Sequence, residues 1–133
     1  MIKIPVSFGE LVDKLTILEL KVHYSKNEIK LTHIKHELQL LQKLYTTSYT
    51  KTDDLPIKNH IHDLKCKLYQ VNSDIWNLED NIRNKEKLQE FDDEFISYAR
   101  SIYKVNDKRA QLKRKLNKLV NSEIIEEKFY QKY

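Results

Sequence analysis

The chain has 133 residues, 33% of them charged, with 24 Lys and Arg against 20 Asp and Glu for a formal net charge of +4. A single cysteine excludes an internal disulfide, no apolar run reaches the length of a membrane span, and the residues before the first helix signal are too few for a signal peptide, which points to a cytoplasmic single domain. The positive charge is written as 20 lysines and 4 arginines interspersed with acids, the pattern of a solvated helical surface, so nucleic acid is not the expected partner.

One glycine and two prolines leave almost nothing to interrupt a helix. Ile2, Ile4 and Val6 alternate around Pro5 as a short extended lead-in. Ser7 with Glu10 three residues later forms a capping box, so the first helix starts near Phe8. Its seam runs Leu11, Leu15, Leu18, Val22, loses phase over residues 25–27, and resumes as Leu31, Ile34, Leu38, Leu41, Tyr45. The helix slips register or kinks there, and Ser25 with Glu28 offers a cap for a restart. Residues 46–54 form a polar turn region, and Asp54 with Pro56 starts the second helix. Ile57, Ile61, Leu64, Leu68, Val71, Ile75, Leu78 and Ile82 then step 4-3-4-3-4-3-4, the repeat of a helix packed along another helix. Asp92 or Asp93 caps a third helix with the seam Phe95, Ile102, Val105, Leu112, Leu116, Leu119. Ile124, Ile125, Phe129 and Tyr130 mark a short amphipathic tail. The expected fold is all-α: an antiparallel three-helix bundle with coiled-coil character, helices near 8–46, 55–88 and 93–120, and a short C-terminal helix at 122–130.

Each long helix carries a second stripe at heptad spacing. In the first it is Glu10, Lys14, Ile17, Lys21; in the second Asn72, Trp76, Glu79, Arg83; in the third Ile96, Arg100, Tyr103, Asp107, Ala110, Arg114, Asn117. The only tryptophan, three of the four arginines and the only two alanines, Ala99 and Ala110, fall on or beside these stripes. Arginine in a chain that otherwise uses lysine implies a need for the planar, multidentate guanidinium. Glu10, Lys14, Lys21, Trp76, Glu79, Arg83, Arg100, Tyr103 and Asp107 are therefore the candidate ligand-binding residues, and Trp76, Arg83, Arg100, Tyr103 and Asp107 are expected to converge. Three readings of the stripes stay open: a solvated face with i,i+4 pairs, a buried ion-pair network that fixes register, or a surface for a ligand or partner.

The segments PVSFGELVDKLTILELK (5–21), IWNLEDNIR (75–83), FDDEFISYARSIYKVNDKRA (91–110) and SEIIEEK (122–128) resemble a family of small all-helical bacterial and phage proteins of unknown function. The likeness covers the chain outside residues 25–67. That family resembles accessory proteins met near glycosyltransferase and surface-polysaccharide genes, which implies a glycan-related role but no particular activity.

Recognised catalytic signatures are missing. His33 and His36 stand at i,i+3 without an evident third ligand, and His60 and His62 point to different faces, so no metal site is expected. Glu10 and Asp13 form a carboxylate pair, with Glu10 already committed to the cap. No cofactor and no catalytic residue is assigned. The reading is a non-enzymatic accessory or interaction protein that forms a homo-oligomer or binds a protein partner. The alternative is a small-molecule site or small helical enzyme taking an anionic sugar phosphate or nucleotide sugar through Arg83, Arg100 and Lys14, with Trp76 and Tyr103 as stacking surfaces.

Overall fold

A computed structural model describes residues 1–49 and 53–133, and among these every regular element is an α-helix: α1 (Phe8–Tyr24), α2 (Glu28–Tyr49), α3 (Leu55–Leu88) and α4 (Asp93–Leu119). The starts follow from capping chemistry. Ser7 Oγ accepts from the Glu10 amide at 3.1 Å, Asp54 from Ile57 at 3.2 Å and Asp92 from Phe95 at 3.0 Å, each relieving an otherwise unpaired first-turn N–H. Pro56 adds its fixed φ to the first turn of α3.

Two expectations are corrected. The first long helix is two helices, because the apolar phase lost at residues 25–27 is a full break. Ser25 closes α1, and Asn27, rather than Ser25, caps α2 by accepting from the Lys30 amide at 3.0 Å. The segment 122–130 is not helical. Ser122 would be its cap, but that hydroxyl accepts from the Phe8 amide at 3.3 Å and donates to the Ile124 carbonyl at 2.8 Å, so it stabilises no helical first turn. Of the turn expected at residues 46–54, residues 46–49 continue α2, and 50–52 lie outside the described residues.

The 17-residue α1 is the centre of the molecule: α2, α3 and α4 all pack on it, and α3 and α4 pack on each other. Leu11, Val12 and Leu15 meet Tyr45 of α2, Ile61, Leu64 and Leu68 of α3, and Leu116 of α4 in one core. The 4-3 stripe of α3 faces inward as expected, but its burial fades along the helix. Ile61, Leu64 and Leu68 are buried, whereas Val71, Ile75, Leu78 and Ile82 are half-buried. Length explains the difference. At 1.5 Å per residue α1 spans about 25 Å and the 34-residue α3 about 51 Å, so the α3–α4 hairpin outruns the helix that covers it. At its tip Lys85 gathers Glu90, Asp92 and Glu94 at 2.9–3.0 Å.

Candidate functional site

Where α1 enters the α3–α4 groove, the interior turns polar. Gly9 lets it in. A Cβ there would lie 2.9 Å from Asn117 Oδ1 and closer still to the Lys113 carbonyl, so any side chain would push α1 off α4. With the side chain absent, the Gly9 amide donates to Asn117 Oδ1 at 2.6 Å.

One turn further on, Asp13 is fully buried. Arg109 of α4 grips it along one edge of the guanidinium, Nε donating to Oδ1 at 2.9 Å and Nη2 to Oδ2 at 2.5 Å. Asn72 of α3 donates Nδ2 to Asp13 Oδ1 and to Thr16 Oγ1, both at 2.9 Å, while the Thr16 hydroxyl donates to the Asp13 carbonyl at 2.8 Å. Asn106 accepts from Arg109 Nη1 at 3.3 Å. Three helices are thus tied at one carboxylate. The bond to Asp13 raises the Arg109 pKa above its ordinary value against the opposing effect of desolvation, so the arginine stays charged.

Lys113, one turn along α4, is buried between two carboxylates, Glu10 Oε2 at 2.7 Å and Glu126 Oε2 at 3.0 Å. Burial alone would lower its pKa, but the bonds to Glu10 and Glu126 outweigh it and the net shift is upward. Glu126, held by Lys128 and then by Lys113, sits below the usual carboxylate range. Glu10 therefore spends its carboxylate on Lys113; of the expected capping box, the Ser7 half is formed.

Glu126 belongs to the C-terminal segment, which runs back along the outside of α4. Glu127 pairs with Arg114 at 3.0 Å, and the Tyr133 hydroxyl donates to Asp107 while its ring meets Tyr103 edge-on at 5.3 Å. The Asp107 carboxylate raises the Tyr133 pKa above its ordinary value. Between segment and helix lies a cavity of about 210 Å³ lined by Ala110, Lys113, Arg114, Asn117, Glu126 and Lys128.

The nine residues singled out from the sequence go to different neighbours. Glu10 joins Lys113, Tyr103 and Asp107 hold Tyr133, and Trp76 stacks on Tyr24 at 4.9 Å. Glu79 and Arg83 form an exposed i,i+4 pair at 3.3 Å; Lys14, Lys21 and Arg100 are exposed. Apart from Glu10, Asn72 and Asn117, which do lie on the expected stripes, the polar residues that converge lie one position earlier. On α1 they follow Gly9, Asp13, Thr16 instead of Glu10, Lys14, Ile17, and on α4 Asn106, Arg109, Lys113 instead of Asp107, Ala110, Arg114. One residue is 100° of rotation, enough to separate an inner face from an outer one. Arg109, the arginine left off the predicted stripes, is the one whose bidentate geometry is used. Of the predicted α3 stripe, Asn72 does reach the interior.

Chemically the cluster is closed. Asp13 is fully buried with both oxygens bound, and among the described residues every buried side-chain nitrogen and oxygen has a partner. No group of three or more His, Cys, Asp or Glu among those residues is arranged to hold a metal ion, and no helix among them is long and apolar enough to cross a membrane.

The model of a family of unknown function, DUF6165, matches residues 2–133, and the chain belongs to that family. No curated protein and no solved structure matches it.

Proposed function

We propose that this family member is a non-enzymatic helical accessory or interaction protein of a bacterium or phage, working in the cytoplasm in support of surface-glycan synthesis. Its charged interior fixes how the helices sit, and its outer faces meet partners. The supporting observation is the Asp13 cluster: a carboxylate with both oxygens bound, in contact with an arginine and an asparagine from two other helices, specifies register and offers nothing to a reactant. The glycan connection rests on the likeness of the four sequence segments to accessory proteins encoded near glycosyltransferases.

Thermal melts of the wild type against a panel of sugar phosphates and nucleotide sugars test this reading. A ligand that binds the native state raises its apparent stability by RT ln(1 + [L]/Kd), so a site of useful affinity shifts the midpoint. The expected result is no shift. A shift in the wild type that disappears in Arg83→Ala and Arg100→Ala would replace the accessory reading with a ligand-binding one.

A further inference from the structure

The cavity of about 210 Å³ between α4 and the C-terminal segment is bordered by hydrogen-bonding capacity that the chain itself leaves unused. Asn117 is 2% exposed, and its Oδ1 accepts from the Gly9 amide, but its Nδ2 has no acceptor among the described residues. Every fully enclosed side-chain nitrogen and oxygen among those residues has a partner, so this nitrogen is open, and the cavity is the space that Asn117 lines. Lys113, whose side chain is 9% exposed, carries three N–H donors and uses two of them, on Glu10 and Glu126. Acceptor capacity stands across the cavity. Glu127 holds Arg114 through Oε2, and its Oε1 has no partner among the described residues.

The charges around the cavity already cancel. Lys113, Arg114 and Lys128 meet Glu10, Glu126 and Glu127, and each of the six is in an ion pair. An ion entering there would find no spare counter-charge to offset its desolvation. A hydroxyl group both donates and accepts, so it can meet the amide and ammonium donors on one side and the carboxylate on the other without disturbing that balance. Pockets for drug-sized ligands run about 300–1,000 Å³, so this one takes something smaller. We propose that the cavity binds a small neutral polyhydroxylated molecule, a polyol or a single monosaccharide unit, with Asn117 Nδ2 and Lys113 Nζ donating to its oxygens and Glu127 accepting from its hydroxyls. The C-terminal segment stays seated, and its two glutamates form the outer wall of the site. Neither Arg83 nor Arg100 lines the cavity, and phosphorylated sugars and nucleotide sugars carry the charge that it does not take. The proposal therefore does not rest on the accessory reading above, and its failure would leave the ligand-panel result untouched.

Titration of the full chain with glycerol, myo-inositol, glucose and galactose, followed by NMR at the Asn117 side-chain amide, tests it. At least one of the four is expected to shift that signal saturably in the millimolar range, and inorganic phosphate is expected not to. Ala110 lines the cavity from α4, so Ala110→Leu fills it with another good helix former. That variant should keep the helical circular dichroism and at least the melting temperature of the wild type while losing the response. Glu127, with a side chain 57% exposed and outside every helix, can be changed without endangering the fold. Glu127→Gln replaces a charged acceptor with a neutral one and should weaken the saturating response about tenfold. No saturable shift with any of the four compounds overturns the proposal. So does a response that persists in folded Ala110→Leu or is unchanged in Glu127→Gln, and so does saturation of the same signal by inorganic phosphate.

Discussion

Arg109→Ala is the sharpest test of what holds the helices in place. It strands Asp13, which is 0% exposed, without a counter-charge in contact and with the Asn72 amide as a remaining donor. Removing one partner of a buried ion pair costs roughly 3 to 5 kcal/mol. The Arg109 side chain is itself 29% exposed, so water reaches part of the vacated space and the lower end, about 3 kcal/mol, is expected. With an unfolding entropy of about 2.1 cal/mol/K per residue, a chain of 133 residues loses about 3.6 °C of Tm per kcal/mol, so the variant should melt about 11 °C below the wild type. Calorimetry with matched urea titrations gives both numbers. The double variant Asp13→Leu/Arg109→Met separates net worth from stranding: with no charge left to desolvate, it should recover most of the loss. A single-variant loss below about 1 kcal/mol, the range of an exposed surface pair, would refute the claim that this cluster sets the helix arrangement.

Gly9→Ala should destabilise by about 1 to 3 kcal/mol in urea titrations, because overpacking against the Lys113 carbonyl and Asn117 outweighs the roughly 1 kcal/mol by which alanine favours a helix; a more stable variant would show that α1 and α4 are not in close contact there. The seating of the C-terminal segment should depend on acid. Glu126 has a folded pKa below its ordinary 4.5, so its contribution is present above that value and is lost as pH falls through the lower folded pKa. The Lys113 ammonium resonance should shift in that window in the wild type as its Glu126 partner takes up a proton, and Glu126→Gln should lack this acid-dependent step.

Most of the helical architecture was legible because it depends on local rules. The α3 stripe, the Asp54 and Asp92 caps and the break at residues 25–27 are all written in neighbours three or four positions apart. What those rules could not show is that α1 lies at the centre. A helix covered on one side has a single apolar phase, but α1 is covered by three helices, so its buried set adds Gly9, Val12, Asp13, Thr16 and Leu20 to the seam residues Leu11, Leu15 and Leu18. An amphipathic reading accounts for the seam and assigns the rest to solvent. The C-terminal segment failed for a related reason. Its apolar spacing is compatible with a helix, while the partner that occupies Ser122, the Phe8 amide, is 114 residues away in the chain.

The buried polar cluster lies one residue away from the charged stripes on two helices, and the cause is compositional. In a chain that is 33% charged, stripes of alternating sign occur on every face of a helix, so charge pattern alone cannot distinguish the inner face from the outer. Two signals could have done so. Gly9, Asp13, Thr16 and Leu20 step 4-3-4 and include the only glycine, which has a conformational cost inside a helix and is therefore best explained by a close approach on that same face. The preference for arginine over lysine applied to all four arginines, and Arg109 stood out by having no place on the outer stripe. The glycine marks the close-contact face of α1, an arginine facing inward on α4 needs an acceptor there, and Asp13 is the acid on the Gly9 face. The outer stripe of α4 is left with Tyr103, Asp107, Ala110 and Arg114. Their spacing suits a partner as well as a ligand, and in the folded chain that partner is the chain's own C-terminal segment.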